Sequence, residues 1–531
     1  MVELYKAKTY THFDYKLRFN KVENYVYGFK NNPKHSFLPL VYGMMTIEKF
    51  VDLTSFDKDD YSYRMNKNGI ETKVPTKVKE RPIMYASHLD NYIYKHYGLE
   101  INDLYNKYLV QNNFNDSSVA YRSNKKGKCN VDFAAEAINF INEHDDCFVY
   151  VGDFSSFFDT LNHNYLKNMI RKLYPNGEIP EHQYRIFKSL TKHSYIDRKD
   201  INYYTSEKRK IYQRGNQRFF RNMKDFRKFK TDNTIVRKNR EKNNLKFKGF
   251  SKNKHVNKKS KSNKKYYKSV SNQKNYAFKR KEVPKAKVLK VNRNNYGIPQ
   301  GTAISAIYSN IYMMDIDKMI TDLVSTYSGL YRRYSDDYII VLPNISTDEF
   351  NELKHVVEMK MRIEAKLKIH PKKTQVMVFK DKKLINFYTK KPAILDYLGF
   401  TFDGDEVKMR EKSIYNYYRT AYELIKKGVV ISMKKFHVGP KARLTYKRKL
   451  YQKYHLFGER TDIKYGYKER PYGTFITYAY KSQKIFEKTS SNTNNLMTKQ
   501  IEAHQRKLKK KIYDAESYLR SLTKEEVIRK L

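Results

Sequence analysis

Continuous, alternating and helically spaced apolar positions mark out the main elements of the chain. Phe148-Val149-Tyr150-Val151 places four apolar residues in a row, the pattern of a strand buried on both faces. It runs through Gly152 to Asp153, and the chain then turns toward a helix near His163. Leu330 to Leu342 has two apolar, β-prone arms around a polar centre, which predicts a hairpin with Asp336 and Asp337 at its tip. Between these segments, Ile304, Ile307, Ile311 and Met314 predict an apolar helix. It follows Tyr296-Gly297-Ile298-Pro299-Gln300-Gly301, a run whose glycines allow a tight turn and close backbone approach. Toward the C-terminal end, Ile501, Leu508, Ile512, Ala515, Leu519 and Leu522 recur at steps of three or four, or multiples of them. That spacing reads as an amphipathic helix packed in a helical subdomain.

At 531 residues the chain is too long for one ordinary core, and two or three domains are expected. Composition divides it further. Ser206 to Lys290 holds 31 Lys or Arg against 5 Asp or Glu, so +26 of the formal +51 falls in under a fifth of the length. This zone has few aliphatics and should build no core of its own. A solvated linker is one reading. Its interleaved rings (Tyr212, Phe219, Phe220, Phe226, Phe229, Tyr266 and Tyr267 among them) favour a segment ordered by nucleic acid, with cations on phosphates and rings on bases. An AT-rich genome would raise Lys, Asn, Ile and Tyr together, and 49 Tyr without a Trp fits that bias. It does not account for 107 basic against 56 acidic residues, because the GAA and GAT codons are AT-rich too. A field of this sign implies a polyanionic partner.

Two cysteines, Cys129 and Cys147, exclude a disulfide framework and cannot make a Cys-based zinc site alone. Cys147 reads as a small buried hydrophobe. The first residues lack the apolar run of a signal peptide, and no segment approaches the ~20 apolar residues of a membrane span. A cytoplasmic protein without a membrane partner is expected.

Each acidic residue singled out is unremarkable alone: an Asp at a strand end is commonly a cap, and acidic residues are common in turns. Together they suggest more. Neighbouring carboxylates repel unless cations neutralise them. Asp336 and Asp337, with Asp153 on an adjacent strand, could hold two Mg2+ ions about 3.5–4 Å apart for nucleotidyl transfer. Oxygen-only ligands favour Mg2+, with Mn2+ as a substitute.

The three segments, in this order and spelling, resemble motifs A, B and C of reverse transcriptases. The family patterns are Asp-x-x-x-x-Phe/Tyr, Gly-x-Pro-Gln-Gly-x-x-x-Ser and Tyr-x-Asp-Asp. Lys77-Val78-Lys79-Glu80-Arg81-Pro82-Ile83 resembles the fingers segment that holds the incoming triphosphate. Leu367-Lys368-Ile369-His370-Pro371-Lys372-Lys373-Thr374 resembles motif D, and Tyr397-Leu398-Gly399-Phe400 the primer-grip turn of motif E. The resemblance covers about residues 75–205 and 291–405. Ala120-Tyr121-Arg122, Lys126-Gly127-Lys128 and the helical Phe133–Ala137 are similar to the bacterial branch, most of all its defence-associated (abortive-infection or retron-like) members. Motif B departs from the usual pattern in having Ala306 after Ser305, where Pro is common.

The resemblance implies an α+β right-hand polymerase with fingers, an antiparallel-sheet palm, an α-helical thumb or C-terminal domain, and a basic insertion. The expected division is 1–205 fingers and first part of the palm, 206–290 insertion, 291–410 remaining palm, and 411–531 thumb. Asp153, Asp336 and Asp337 are the implied catalytic metal ligands, with the Phe154 carbonyl as a further ligand. Lys79 and Arg81 are implied for the β- and γ-phosphates, since bidentate Arg geometry suits phosphate. Gln300 and Gly301 are expected to line the nucleotide pocket, and Phe158 to sit beneath the sugar as a steric gate. Lys373 is the candidate to protonate or neutralise the leaving pyrophosphate.

The function expected is RNA-directed DNA synthesis from dNTPs, on a dedicated noncoding RNA and in antiphage defence. Two alternatives stand beside it: untemplated or homopolymeric, protein-primed synthesis by the same residues, and a catalytically silent RNA-binding scaffold. A homo-oligomer is compatible with any of them.

Overall fold

The computed structural model describes residues 17–50, 62–65, 71–74, 76–199, 289–371, 373–454, 474–488 and 496–530, together with Tyr5, Lys8, Tyr10, His12 and Asp14. All but the last two residues of the basic segment 206–290 lie outside them. The chain forms two interleaved compact units. One comprises Met1–Gln111, Ser156–Asp315 and Ala365–Leu367; the other comprises Asn112–Ser155, Ile316–Glu364 and Lys368–Leu531.

The second unit is built on a five-stranded antiparallel sheet. Its spatial order is Lys383–Asn386, Gln375–Lys380, Asp146–Asp153, Asp337–Pro343 and Leu330–Tyr334. The apolar run Phe148–Val151 therefore forms the central strand, and both its faces are covered. Cys147, Val149 and Val151 point into the core made with Ile339, Val341 and the helix Asn130–Asn142. The alternate residues Phe148 and Tyr150 point the other way, onto Phe350 of the helix Thr347–Ile363. Period-two alternation thus serves two cores at once, which is why this strand shows no polar face in the sequence. Burial pushes the Cys147 thiol up to about 12, so it is a packing residue.

A three-stranded antiparallel sheet, Leu395–Tyr397, Phe400–Phe402 and Val407–Met409, follows in the same unit. Its first turn is Leu398-Gly399, with φ values of 47° and 99°. Two consecutive positive φ angles are what a tight two-residue hairpin turn requires. The helices Glu411–Lys434, Lys447–Tyr454, Phe475–Lys488, Leu496–Ser521 and Lys524–Lys530 then close the core. In Leu496–Ser521, Ile501, Leu508, Ile512 and Leu519 are buried, as their spacing predicts. Gln505 and Glu516 share that face and are bonded within it, Gln505 to the Tyr454 carbonyl and Glu516 to Leu444 N–H and Lys447.

In the first unit, Leu40–Phe50 pairs antiparallel with Thr76–Tyr85 and parallel with Ser194–Asp197, which in turn pairs with Lys290–Val291. The helix His88–Gln111 and the shorter helices His163–Arg171, Glu181–Thr191 and Ser305–Tyr312 belong to the same unit. Among the described residues no helix is long and apolar enough to cross a membrane.

Candidate active site

The pairing of the central strand fixes the aspartates. Counting along the ladder from Cys147↔Pro343, Asp153 falls directly opposite Asp337. Directly opposed residues hold their Cβ atoms about 5 Å apart, so both carboxylates start from one end of the sheet. Asp336 lies in the two-residue turn Ser335-Asp336, which joins Leu330–Tyr334 to Asp337–Pro343. Ser335 takes a φ of 64°, a left-handed conformation uncommon for a residue with a Cβ. Asp153 is 7 % exposed, Asp336 half-buried and Asp337 exposed.

Like charges this close repel. The Lys373 ammonium is hydrogen-bonded to Asp153 Oδ2 and offsets part of that cost. Asp153 Oδ1 is buried and has no hydrogen-bond partner. A buried carboxylate oxygen left unpaired is costly unless a cation meets it. Among the described residues no three His, Cys, Asp or Glu side chains are gathered as a metal-holding cluster. Yet the unpaired oxygen, the all-oxygen donors and the opposed strand positions fit a hard divalent cation.

Backbone bonds bring Lys373 to this point. His370 N–H donates to the Asp153 carbonyl (2.8 Å) and Ser155 N–H to the Lys368 carbonyl (2.8 Å). These bonds flank Phe154, which bridges to Ile369 and is buried. The motif D-like segment is therefore stitched to the end of the central strand.

Behind the hairpin stands a group that sequence reasoning missed. Arg333 and Asp317 are both fully buried and paired, with Arg333 Nε 2.8 Å and one terminal nitrogen 2.6 Å from the two carboxylate oxygens. Arg333 also donates to the carbonyl of Ser335 (2.8 Å), inside the turn. Tyr331 donates its hydroxyl to Asp317 (2.7 Å). Arg333 N–H donates to the Ser117 carbonyl and the Arg333 carbonyl accepts from Val119 N–H, so the strand is held on its far edge too. The clue in the sequence was period two: Tyr331 and Arg333 share a face, and nothing in one sequence says that this face is internal.

Tyr397, in the primer-grip-like turn, is also buried. Its hydroxyl is buried with no hydrogen-bond partner, and burial followed by the Asp337 charge holds its phenol well above the usual range. Tyr338, next to Asp337, is anchored more completely: it donates to the Tyr150 hydroxyl (3.0 Å), which donates to Glu358 (2.8 Å).

Gly152 faces Tyr338 across the ladder, and a Cβ there would overlap the Tyr338 ring. That ring is fully buried and cannot swing aside. Gly152→Ala should therefore displace Tyr338 and with it Asp337. We expect a loss of about 1–3 kcal/mol in stability from overpacking. Denaturant melts check this; an unchanged midpoint would show that the ring yields.

The remaining candidates lie in the first unit. Lys79 and Arg81 are on the strand Thr76–Tyr85, Arg81 exposed and Lys79 half-buried. Met84 N–H, on the same strand, donates to the Gln300 carbonyl (2.8 Å). A Cβ on Gly301, whose φ is 115°, would lie 2.8 Å from the Met84 carbonyl, so only glycine permits this approach. The turn is closed by Ser305, whose hydroxyl donates to the Pro299 carbonyl (2.6 Å). Phe158 is half-buried, and its carbonyl accepts from Ile298 N–H (2.9 Å). The structure thus joins Phe158, Gln300, Gly301 and the strand of Arg81 in one unit, and Asp153, Phe154, Asp336, Asp337 and Lys373 in the other.

Residues 249–402 match the family model described as "Reverse transcriptase (RNA-dependent DNA polymerase)". The chain carries a reverse transcriptase domain. The match spans under a third of the chain and takes in Gln300, Gly301, Asp336, Asp337 and Lys373. The match supports RNA-directed DNA polymerase, that is nucleotidyltransferase, activity, and the antiparallel sheets with a helical C-terminal region are consistent with a right-hand polymerase fold. No curated protein matches the sequence. Among solved structures, the chain is similar to telomerase from Candida albicans in complex with a fragment of telomeric RNA. The identity is 12 % and the TM-score 0.38, covering 95 % of this chain and 70 % of that one. It is also similar to apo telomerase from Candida tropicalis, at 12 % identity and a TM-score of 0.34, covering 96 % of this chain and 72 % of that one.

Proposed function

We propose that this reverse transcriptase domain copies a dedicated noncoding RNA into cDNA, with Asp153, Asp336 and Asp337 as its catalytic carboxylates, and that it serves antiphage defence in a bacterium. The observation that carries the catalytic part is the opposition of Asp153 and Asp337, with a buried, unpaired Asp153 oxygen beside the Asp336 turn. Asp153, Asp336 and Asp337, with the Phe154 carbonyl, would hold Mg2+. Such ions activate a 3′ hydroxyl and stabilise the pyrophosphate leaving group. Lys373, bonded to Asp153, offsets the carboxylate charge and would supply its ammonium to a leaving phosphate.

Lys79 and Arg81 supply cations for the triphosphate, and Gln300 and Gly301 a backbone turn whose position 301 only glycine can occupy. The RNA partner rests on the charge of the 206–290 segment. The noncoding template and the defence role rest on the sequence resemblance to bacterial defence-associated enzymes. Sequencing the nucleic acid that copurifies with the protein from its own locus tests this part. One discrete RNA joined to complementary DNA is the expected result, and bulk cellular RNA would contradict a dedicated template.

Phe158, five residues after Asp153, supplies a ring for the floor of the sugar pocket. Phe158→Ala should raise ribonucleotide incorporation by at least about tenfold, since a lost steric clash is worth about 1–3 kcal/mol. The dNTP/rNTP ratio in single-nucleotide extension measures it, and an unchanged ratio removes that role.

A further inference from the structure

The second unit carries a cluster of rings and cations that the polymerase reading does not use. From Leu424 to Tyr454 the chain has ten Lys or Arg and no Asp or Glu. This stretch takes in the end of the helix Glu411–Lys434, a connection, and the helix Lys447–Tyr454. Around the connection Lys434, Lys435, Lys441, Arg443, Arg448 and Lys449 are exposed.

Two exposed rings stand at the ends of the connection, each on a strained backbone. The helix Glu411–Lys434 finishes in a Schellman closure: Phe436 N–H donates to the Met433 carbonyl (2.9 Å) and His437 N–H to the Ser432 carbonyl (2.8 Å). Phe436 thereby takes a φ of 53°, at a position glycine ordinarily fills, and it is 44 % exposed. Tyr446, just before the helix Lys447–Tyr454, has a φ of 71° and is 41 % exposed. Bulky residues rarely adopt such angles, and burial of the rings does not offset the strain. The connection between them is fixed from several sides. The Ser432 and Thr445 hydroxyls are bonded (2.7 Å), and Thr445 N–H donates to Ser432 Oγ (3.0 Å). Leu444 N–H donates to the buried Glu516 (3.2 Å), and Gly439 N–H to the Leu519 carbonyl (3.0 Å). A ligand therefore meets a preformed scaffold and need not order it.

We propose that this junction binds an unpaired RNA strand, with bases stacked on Phe436 and Tyr446 and phosphates on the flanking cations. Stacking on protein rings requires bases that are not paired in a duplex, and Lys and Arg neutralise the phosphates between them. The junction is separate from the carboxylates. Arg410 N–H donates to the Gly399 carbonyl, which ties the start of the helix Glu411–Lys434 to the turn beside Tyr397, and Tyr397 is close enough to Asp337 to feel its charge. The 24 residues of that helix span about 36 Å, and the junction lies at its far end. Only the choice of RNA over DNA rests on the polymerase reading: the DNA such an enzyme makes is paired with its template as it forms, so the unpaired strand it carries is RNA.

Ultraviolet cross-linking of the full-length chain to a short oligouridylate, read by tryptic peptide mass spectrometry, tests this. Cross-links are expected on the peptides Phe436–Lys441 and Leu444–Lys447. Phe436→Gly should raise the RNA concentration that half-saturates the Tyr446 cross-link by about tenfold, the worth of one stacked base. Its melting temperature should not fall, because glycine accepts the positive φ. A Tyr446 cross-link that saturates at the same concentration in Phe436→Gly overturns the proposal. So does a chain that cross-links elsewhere but on neither peptide. Double-stranded RNA that displaces the oligouridylate equally well overturns the stacking, and oligodeoxythymidylate that displaces it better overturns the choice of RNA. Primer extension by the same preparation keeps the two readings apart. Extension without either cross-link sinks the junction alone, whereas both cross-links without extension support the junction and remove the polymerase reading.

Discussion

Asp153→Asn should abolish nucleotide incorporation, by ~10³-fold or more, while leaving the fold intact. Losing a charge that stabilises the transition state is worth several kcal/mol, and ~4 kcal/mol is a factor of ~10³ in rate. Asparagine keeps the shape, so Phe154, Ser155 and the bonds to Lys368 and His370 need not move. Stability should change little, for two opposing reasons. The Lys373–Asp153 pair has its lysine 41 % exposed, and such screened pairs contribute about 0–1 kcal/mol. Removing one of two opposed carboxylates also relieves repulsion with Asp337. Thermal melting and primer extension on the same preparation separate the two effects. A variant that is folded and fully active would remove Asp153 from the mechanism.

The largest effect on folding is expected at Arg333. Arg333→Ala leaves Asp317 buried at 0 % exposure without its partner, and breaking such a pair typically costs about 3–5 kcal/mol. The loss should appear as a lower denaturant midpoint. Replacing both partners, Arg333→Met with Asp317→Leu, removes the uncompensated charge and should recover much of that stability. Activity should not return with it, because the bond from Arg333 to the Ser335 carbonyl is then absent and the Ser335-Asp336 turn loses its anchor. Stability and activity moving together in the double variant would show that the pair serves packing alone.

The fold was legible where pattern and burial coincide. Phe148–Val151 read as a doubly covered strand because both of its cores are apolar, and Ile501–Leu519 as a helix because one face is. The Asp153–Asp337 opposition was legible only as adjacency. Its register follows from a ladder that includes Gly152↔Tyr338, and single-sequence reading does not set strand register. Arg333 and Asp317 were not legible as site residues. A buried charged or hydroxyl-bearing side chain has the same letter as an exposed one, and only its partners distinguish it.

The most direct test of the central claim is primer extension by the purified chain on an RNA template, with Mg2+ and labelled dNTPs, beside Asp336→Asn. The wild-type chain should produce cDNA up to the template end and Asp336→Asn none, at equal protein and comparable melting temperature. Full-length product from the variant, or none from a folded wild-type chain that binds the primer–template, would contradict the assignment of DNA synthesis to Asp153, Asp336 and Asp337.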